Sequence, residues 1–184
     1  MPKEIETKFN IRSPGDVRKA LKKMGARFVS RQTEKDVYYA APSGFRGTIR
    51  LRSIGKKSIF TVKSPCDTGS SGPYKIGEET EAGIQDAALF GKMFKVIGFT
   101  ERYLKEKIRE NYVWKGVKIS IDTLPHIGTY MEIEAPKSEI RKAARALGLE
   151  MKKAIPDTYM ELFGYYKLMH KKPNLEFIFG KKLR

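Results

Sequence analysis

Glu4-Ile5-Glu6-Thr7-Lys8-Phe9 is the stretch on which the fold turns. Side chains of an extended strand alternate between faces, so a strand here sets Glu4, Glu6 and Lys8 in one row and Ile5, Thr7 and Phe9 in the other. Two carboxylates one alternation apart suit a hard divalent cation, and a lysine beside them suits a phosphate oxygen. A single such triplet also describes any strand with one wetted face. Recurrence decides between the two.

The same alternation yields an ionic row on strand after strand. Arg50 and Arg52 share a face against Ile49 and Leu51, and Lys63 stands with Thr61 against Phe60 and Val62. Lys75 precedes Glu79 and Glu81 in one row. Lys105, Lys107 and Arg109 share a face, Asp122 stands with Ser120 and Lys118, and Glu132 stands with Glu134. Solvated faces normally mix charges with Thr, Ser and Gln and interleave the signs. Here carboxylates pair on some strands and bases on others, as a site needs if it holds a divalent metal and clamps a polyanion of triphosphate size. So many cations at close quarters repel one another unless an anionic ligand or nearby carboxylates offset them.

Between these rows the chain carries helix signals. Ser13-Pro14-Gly15-Asp16 opens a helix with Ser13 as N-cap and Pro14 at its first position, Val17, Leu21 and Met24 line its apolar face, and Gly25 stops it. Strands are expected over Phe28 to Ala40, Thr48 to Ile54, Lys57 to Ser64, Glu78 to Ala82, Glu101 to Tyr112, Lys115 to Asp122 and Thr129 to Ala135. Further helices are expected over Gln85 to Ile97, Ser138 to Leu147 and Asp157 to Met169. Asp67 to Pro73 reads as a loop, and the basic stretch from His170 to Arg184 has no assigned place.

Two halves echo one another: Glu4-Ile5-Glu6, a helix and Met24-Gly25 resemble Glu79-Thr80-Glu81, a helix and Ile97-Gly98. Each half is strand, helix, strand, hairpin, and two halves supply about eight strands, enough to close a barrel with a usable interior. If the ionic faces line that barrel, the apolar faces must lie under the helices.

The 184 residues suffice for one well-buried domain or at most two small ones, and the net charge of +16 implies attraction to polyanions. A lysine-rich coat of the thermophilic kind is the bland source of that surplus. One cysteine allows no disulfide framework, and two histidines far apart argue against a histidine-based zinc site. With no leader and no apolar run of membrane-spanning length, a cytoplasmic protein with no membrane partner is expected.

The ordered set of motifs resembles the CYTH superfamily, the triphosphate tunnel metalloenzymes. Glu4-x-Glu6-x-Lys8 matches its ExExK signature, followed by Ile49-Arg50-Leu51-Arg52, Thr61-Val62-Lys63, Glu79-x-Glu81, Lys107-x-Arg109-x-x-Tyr112, Asp122, Gly128-x-Tyr130-x-Glu132-Ile133-Glu134 and Asp157-Thr158-Tyr159-x-Glu161-Leu162. The resemblance implies an α+β fold, an eight-stranded antiparallel closed barrel with helices packed outside. It spans residues 1–169 and leaves a basic tail at 170–184. It further implies Mg²⁺ or Mn²⁺ held by Glu4, Glu6, Asp122, Glu132 and Glu134. A triphosphate-binding set follows of Lys8, Arg50, Arg52, Lys63, Lys75, Glu79, Glu81, Lys107 and Arg109, with Lys8, Arg52, Lys63 and Asp122 as the catalytic groups. Relatives often carry a base two residues before the second ExE; Gly77 stands there, and Lys75 or Lys105 is the candidate substitute.

Length and spacing look most like the class IV adenylate cyclase group, which converts ATP to cyclic AMP and pyrophosphate. Other relatives hydrolyse inorganic triphosphate, thiamine triphosphate or RNA 5′-triphosphate, and the lumen residues do not separate these chemistries. A silent polyphosphate or nucleotide sensor, or a nucleic-acid-binding module, is the non-enzymatic alternative. A polynucleotide partner is disfavoured, because paired carboxylates repel a phosphate backbone without metal. The sequence leaves the oligomeric state open, with a homodimer as one option.

Overall fold

A computed structural model of the chain describes residues 3–42, 44–64 and 72–180. The predicted loop Asp67 to Pro73 therefore lies outside the described residues except for Gly72 and Pro73. So does the end of the basic tail.

The first half runs β1 (Lys3–Ile11), α1 (Pro14–Lys23), β2 (Arg27–Ala40), β3 (Thr48–Ile54) and β4 (Lys57–Lys63). The second runs β5 (Lys75–Ile84), α2 (Ala87–Val96), β6 (Thr100–Trp114), β7 (Val117–Leu124) and β8 (Gly128–Glu134), and α3 (Lys137–Ala146) and α4 (Tyr159–Met169) follow. The strands form a closed barrel in the order β1-β5-β4-β3-β2-β6-β7-β8, every neighbouring pair antiparallel. Exchanging the halves leaves this order unchanged: β1 lies between β8 and β5 as β5 lies between β4 and β1. The echo read from the sequence is thus a twofold repeat of connectivity.

Local chemistry sets the element ends. Ser13 accepts a hydrogen bond from the Asp16 amide at 3.4 Å, and α1 closes at Gly25, whose φ of 80° suits glycine. The predicted strand from Lys115 begins at Val117 instead, because Lys115 and Gly116 take φ of 47° and 81°, the signature of a tight hairpin turn. β5 is longer than predicted, starting at Lys75, since its first residues pair with β1. Helix α4 starts after Asp157 because Thr158 caps it. The Thr158 hydroxyl accepts from the Glu161 amide at 3.2 Å, and the Glu161 carboxylate accepts from the Thr158 amide at 2.6 Å.

The hydrophobic core lies outside the barrel. Phe9, Ile119, Ile121, Met131 and Ile133 point outward and are covered by Leu21 of α1 and by Ile140, Ala143 and Ala144 of α3, all buried. On the other half Tyr39, Ile49 and Leu51 pack with Phe60 under Phe90 and Phe94 of α2. With both apolar faces turned to helices, every ionic row turns to the lumen.

The chain after α4 is part of this packing. β6 pairs with β7 only from Ile108 onward, which leaves one edge of its first half open. Phe177 covers it: its carbonyl accepts from the Glu106 amide at 2.8 Å, and its ring stacks on Phe163 of α4 at 4.1 Å. The apolar residues of the tail that the sequence left unplaced thus include an edge seal.

Candidate active site

Antiparallel register brings opposite charges face to face. Asp36 lies opposite Arg52 on one side and Lys105 on the other, Glu34 opposite Lys107, Arg109 opposite Asp122, Lys63 opposite Glu79, and Lys8 opposite Glu132. A cavity of about 540 Å³ lies inside the barrel among these strands. Glu4, Glu6, Lys8, Arg50, Arg52, Lys63, Lys75, Glu81, Lys107, Arg109, Glu132 and Glu134 line it, which brings most of the predicted site together. Lys75 also reaches Glu6 at 2.6 Å, so a lumen base is present although Gly77 supplies none.

One ionic network links β3, β2, β6, β7 and β8. Arg52 makes a fork onto Asp36 with contacts of 2.7 and 2.9 Å and reaches Glu34 at 2.9 Å. Lys107 lies between Glu34 at 3.3 Å and Asp122 at 3.1 Å. Arg109 grips Asp122 through Nε at 2.6 Å and Nη2 at 2.5 Å and also bonds Glu132. Asp122 is fully buried and accepts a fourth bond from the Tyr159 hydroxyl at 3.0 Å. It backs the cavity wall, and its oxygens are engaged by Arg109, Lys107 and Tyr159. Lys8 donates to the Asp157 carbonyl at 2.9 Å and sits 4.4 Å above the Tyr159 ring.

A second network joins β1, β5, β4 and β3 and is richer in carboxylates. Lys63 bonds Glu4 at 2.7 Å and also Glu79, and Arg50 reaches Glu79 at 3.3 Å and Glu81 at 3.5 Å. Glu6 pairs in register with Glu134, and Lys118 holds Glu134 at 2.6 Å. Glu79 is a direct partner of these bases.

Burial and neighbours divide the titrating groups. Burial raises Glu4, with Glu6 adding to the effect, whereas for Glu6 the bases Lys75, Lys8 and Lys63 outweigh both burial and Glu132 and hold it down. Glu132 is held well below its usual range by Arg109 and Lys8 against the cost of burial. Glu34 falls to about 2, as Lys107, Arg109 and Arg52 overcome burial. Burial, and then Arg109 beside it, bring Lys107 down to about 8 despite Asp122 and Glu34.

Sequence reasoning missed Glu34, Asp36 and Tyr159. The alternation Glu34-x-Asp36-x-Tyr38 carries the signal within the strand expected over Phe28 to Ala40, to which no ionic face is assigned. Tyr159 stands in the motif Asp157-Thr158-Tyr159 but receives no site role, because only the docking of α4 brings it to the lumen.

Among the described residues no three Asp, Glu, His or Cys side chains converge to hold a metal unaided. Glu6, Glu132 and Glu134 on adjacent strands β1 and β8 nevertheless offer hard oxygens of the type Mg²⁺ and Mn²⁺ use, one or two at a time together with substrate phosphates. The donor set fits such an ion.

A closed antiparallel barrel with helices outside and paired bases and carboxylates inside is a charged tunnel barrel. The chain belongs to the CYTH family: the sequence profile of the CYTH domain matches residues 2–159. It is 30% identical over 175 residues to a Methanocaldococcus jannaschii protein whose name provisionally makes it an adenylate cyclase. The match covers 88% of this chain and 98% of that one. A Pyrococcus horikoshii protein of solved structure superposes with a TM-score of 0.75 at 28% identity, covering 86% of this chain and 98% of that one. A Hippeastrum protein, provisionally an adenylyl cyclase and described as having a dominant triphosphatase activity, shares the fold with a TM-score of 0.63. There the identity is 15%, over 88% of this chain and 95% of that one. Among the described residues no helix is long and apolar enough to cross a membrane.

Proposed function

We propose that this chain is a divalent-metal-dependent enzyme acting on small triphosphates in the barrel lumen, converting ATP to cyclic AMP and pyrophosphate. Charge balance carries the reading. Among the described residues nine basic side chains line the cavity against five carboxylates, and Glu34, Asp36, Glu79 and Asp122 stand directly against those bases. The ionised set is thus neutral as folded. A bound tetra-anion leaves it strongly negative, and roughly two divalent ions restore the balance.

In this reading Glu4, Glu6, Glu132 and Glu134 hold the ion, and Asp122 joins them only by releasing its present partners. Once bound, the ion offsets charge developing on the phosphate oxygens. Lys8, Arg50, Arg52, Lys63, Lys75, Lys107 and Arg109 exchange their carboxylate partners for phosphate oxygens. They fix the triphosphate so that the ribose 3′-oxygen bonds to the α-phosphorus as the bond to the β-phosphate oxygen breaks. The hydroxyl proton leaves to water.

The alternative is hydrolysis at the terminal phosphorus, as in a triphosphatase of inorganic or thiamine triphosphate. The Hippeastrum protein supports it only to the extent that one fold hosts both chemistries.

Incubation with Mg²⁺ or Mn²⁺ and ATP, inorganic triphosphate or thiamine triphosphate, with products resolved, tests the proposal. Cyclic AMP with pyrophosphate supports the cyclase, and orthophosphate supports the alternative. A protein that binds polynucleotide without regard to magnesium and turns over none of the panel would refute both. In a Glu4→Ala, Glu6→Ala variant, metal-dependent turnover is lost while polyanion binding remains.

A further inference from the structure

The lumen does not end at its ionic wall. Tyr103 and Met160 line the charged cavity and also line a second cavity of about 540 Å³, bounded by the start of β6, by α4 and by Leu175 to Phe177. The second space lies where the edge of β6 is not taken by β7, above the seal made by Phe177. Glu101, Arg102, Lys167 and Glu176 give it some charge, while Tyr103, Met160, Phe163 and Phe177 supply aromatic and thioether surface. Tyr103 stacks on Tyr38 at 4.5 Å, and the Tyr38 hydroxyl accepts from Lys105 at 2.6 Å. An aromatic shelf therefore begins one side chain away from the row of lumen cations.

A second observation indicates that this space is kept open. Gly164 lies in the middle of α4, where glycine is a poor helix former, and lines the second cavity. A Cβ added there meets no atom within 4 Å, so packing does not require glycine. Its absent side chain leaves room beside Phe163 and Met160. Apart from the β6 residues, the lining side chains, including Met160, Phe163, Gly164 and Phe177, lie beyond residue 159, where the family match ends.

Resting on the triphosphate reading of the lumen, we infer that this second cavity is a subsite for the planar heteroaromatic head of an organic triphosphate. The head stacks on Tyr103 with Met160 on its other side, and the phosphate chain enters the ionic lumen between them. Aromatic stacking suits a base because every base presents a π-face, and the thioether of Met160 adapts to a ring edge. Inorganic triphosphate has no group to place there.

The test is calorimetric titration of wild type, Tyr103→Ala and Gly164→Leu with ATP, thiamine triphosphate and inorganic tripolyphosphate, each in the presence of Mg²⁺. The ratio of organic to inorganic triphosphate affinity is expected to fall about tenfold in each variant, as loss of one base–aromatic contact or occlusion of the space requires. The organic ligand showing the larger fall identifies the head. Gly164→Leu guards against a trivial loss of fold: with leucine the better helix former, its melting temperature should not drop. An equal fall for organic and inorganic ligands, or an unchanged ratio in both variants, overturns the subsite while leaving the triphosphate reading intact. Wild-type protein that binds none of the three ligands overturns both.

Discussion

Asp122→Asn separates a residue that organises the lumen from one that is free to act in the reaction. Asp122 is fully buried and accepts four hydrogen bonds, two from Arg109 at 2.6 and 2.5 Å, one from Lys107 at 3.1 Å and one from Tyr159 at 3.0 Å. A charge pair at about 3 Å is worth roughly 5 kcal/mol at an effective dielectric near 20. Glu132 remains for Arg109 and Glu34 for Lys107, and the asparagine carbonyl keeps one acceptor, so only part of that is lost. We expect a destabilisation of about 3 kcal/mol, within the range for removing one partner of a buried pair. The assay is urea unfolding followed by circular dichroism, with and without tripolyphosphate. The variant lumen carries an extra positive charge, so saturating tripolyphosphate should stabilise it more than it stabilises wild type. A loss below 1 kcal/mol together with abolished turnover would refute this reasoning, because Asp122 would then be a reacting group and not a structural anchor.

Three further outcomes follow from the same network. Lys107 loses its proton as pH rises through about 8 in the free protein, whereas a bound polyphosphate favours the charged form. Tripolyphosphate affinity should therefore be flat below about pH 7 and fall above 8 by at most tenfold per pH unit. Lys107→Arg, which stays charged, should flatten the part due to this residue, and identical profiles for both proteins would remove Lys107 as the cause. Phe177→Ala should cost about 3 kcal/mol, since a buried ring stacked on Phe163 is lost and the β6 edge is unsealed. A thermal melt indistinguishable from wild type would show that the tail does not seal β6. Arg52→Lys keeps the charge but loses the fork onto Asp36 and the contact with Glu34, so tripolyphosphate binding should weaken roughly tenfold in calorimetry.

How much of this was legible depended on how local the cause was. Alternation over Glu4-Ile5-Glu6-Thr7-Lys8 is a property of the strand itself, and so the ionic rows and the eight-stranded barrel could be read directly. Ser13, Gly25 and Thr158 act within a few residues of their effect, and element ends near them fell within a residue or two. Tyr159 and Phe177 are defined by partners far along the chain, Asp122 and Glu106, and no short pattern encodes such meetings. Glu34 and Asp36 are a different failure. Their alternation was present, but two carboxylates in a strand of mixed character gave no reason to expect a lumen position until β6 set Lys107 and Lys105 opposite them.

The two halves of the barrel share connectivity but not charge. β2 brings Glu34 and Asp36 to the lumen where its counterpart β6 brings Lys105 and Lys107. β3 brings Arg50 and Arg52 where β7 brings Ser120 and Asp122, and β4 brings Thr61 and Lys63 where β8 brings Glu132 and Glu134. A tunnel with identical halves would accept a linear polyanion equally well in either direction. Unlike charges on equivalent strands remove that degeneracy, because one arrangement sets phosphates on bases and the reverse sets them on carboxylates. They also keep the empty lumen folded, since each base has a carboxylate to hold before substrate arrives. On the proposed triphosphate reading, the same asymmetry that makes the free barrel neutral gives the substrate one direction, which an attack confined to a single phosphorus requires.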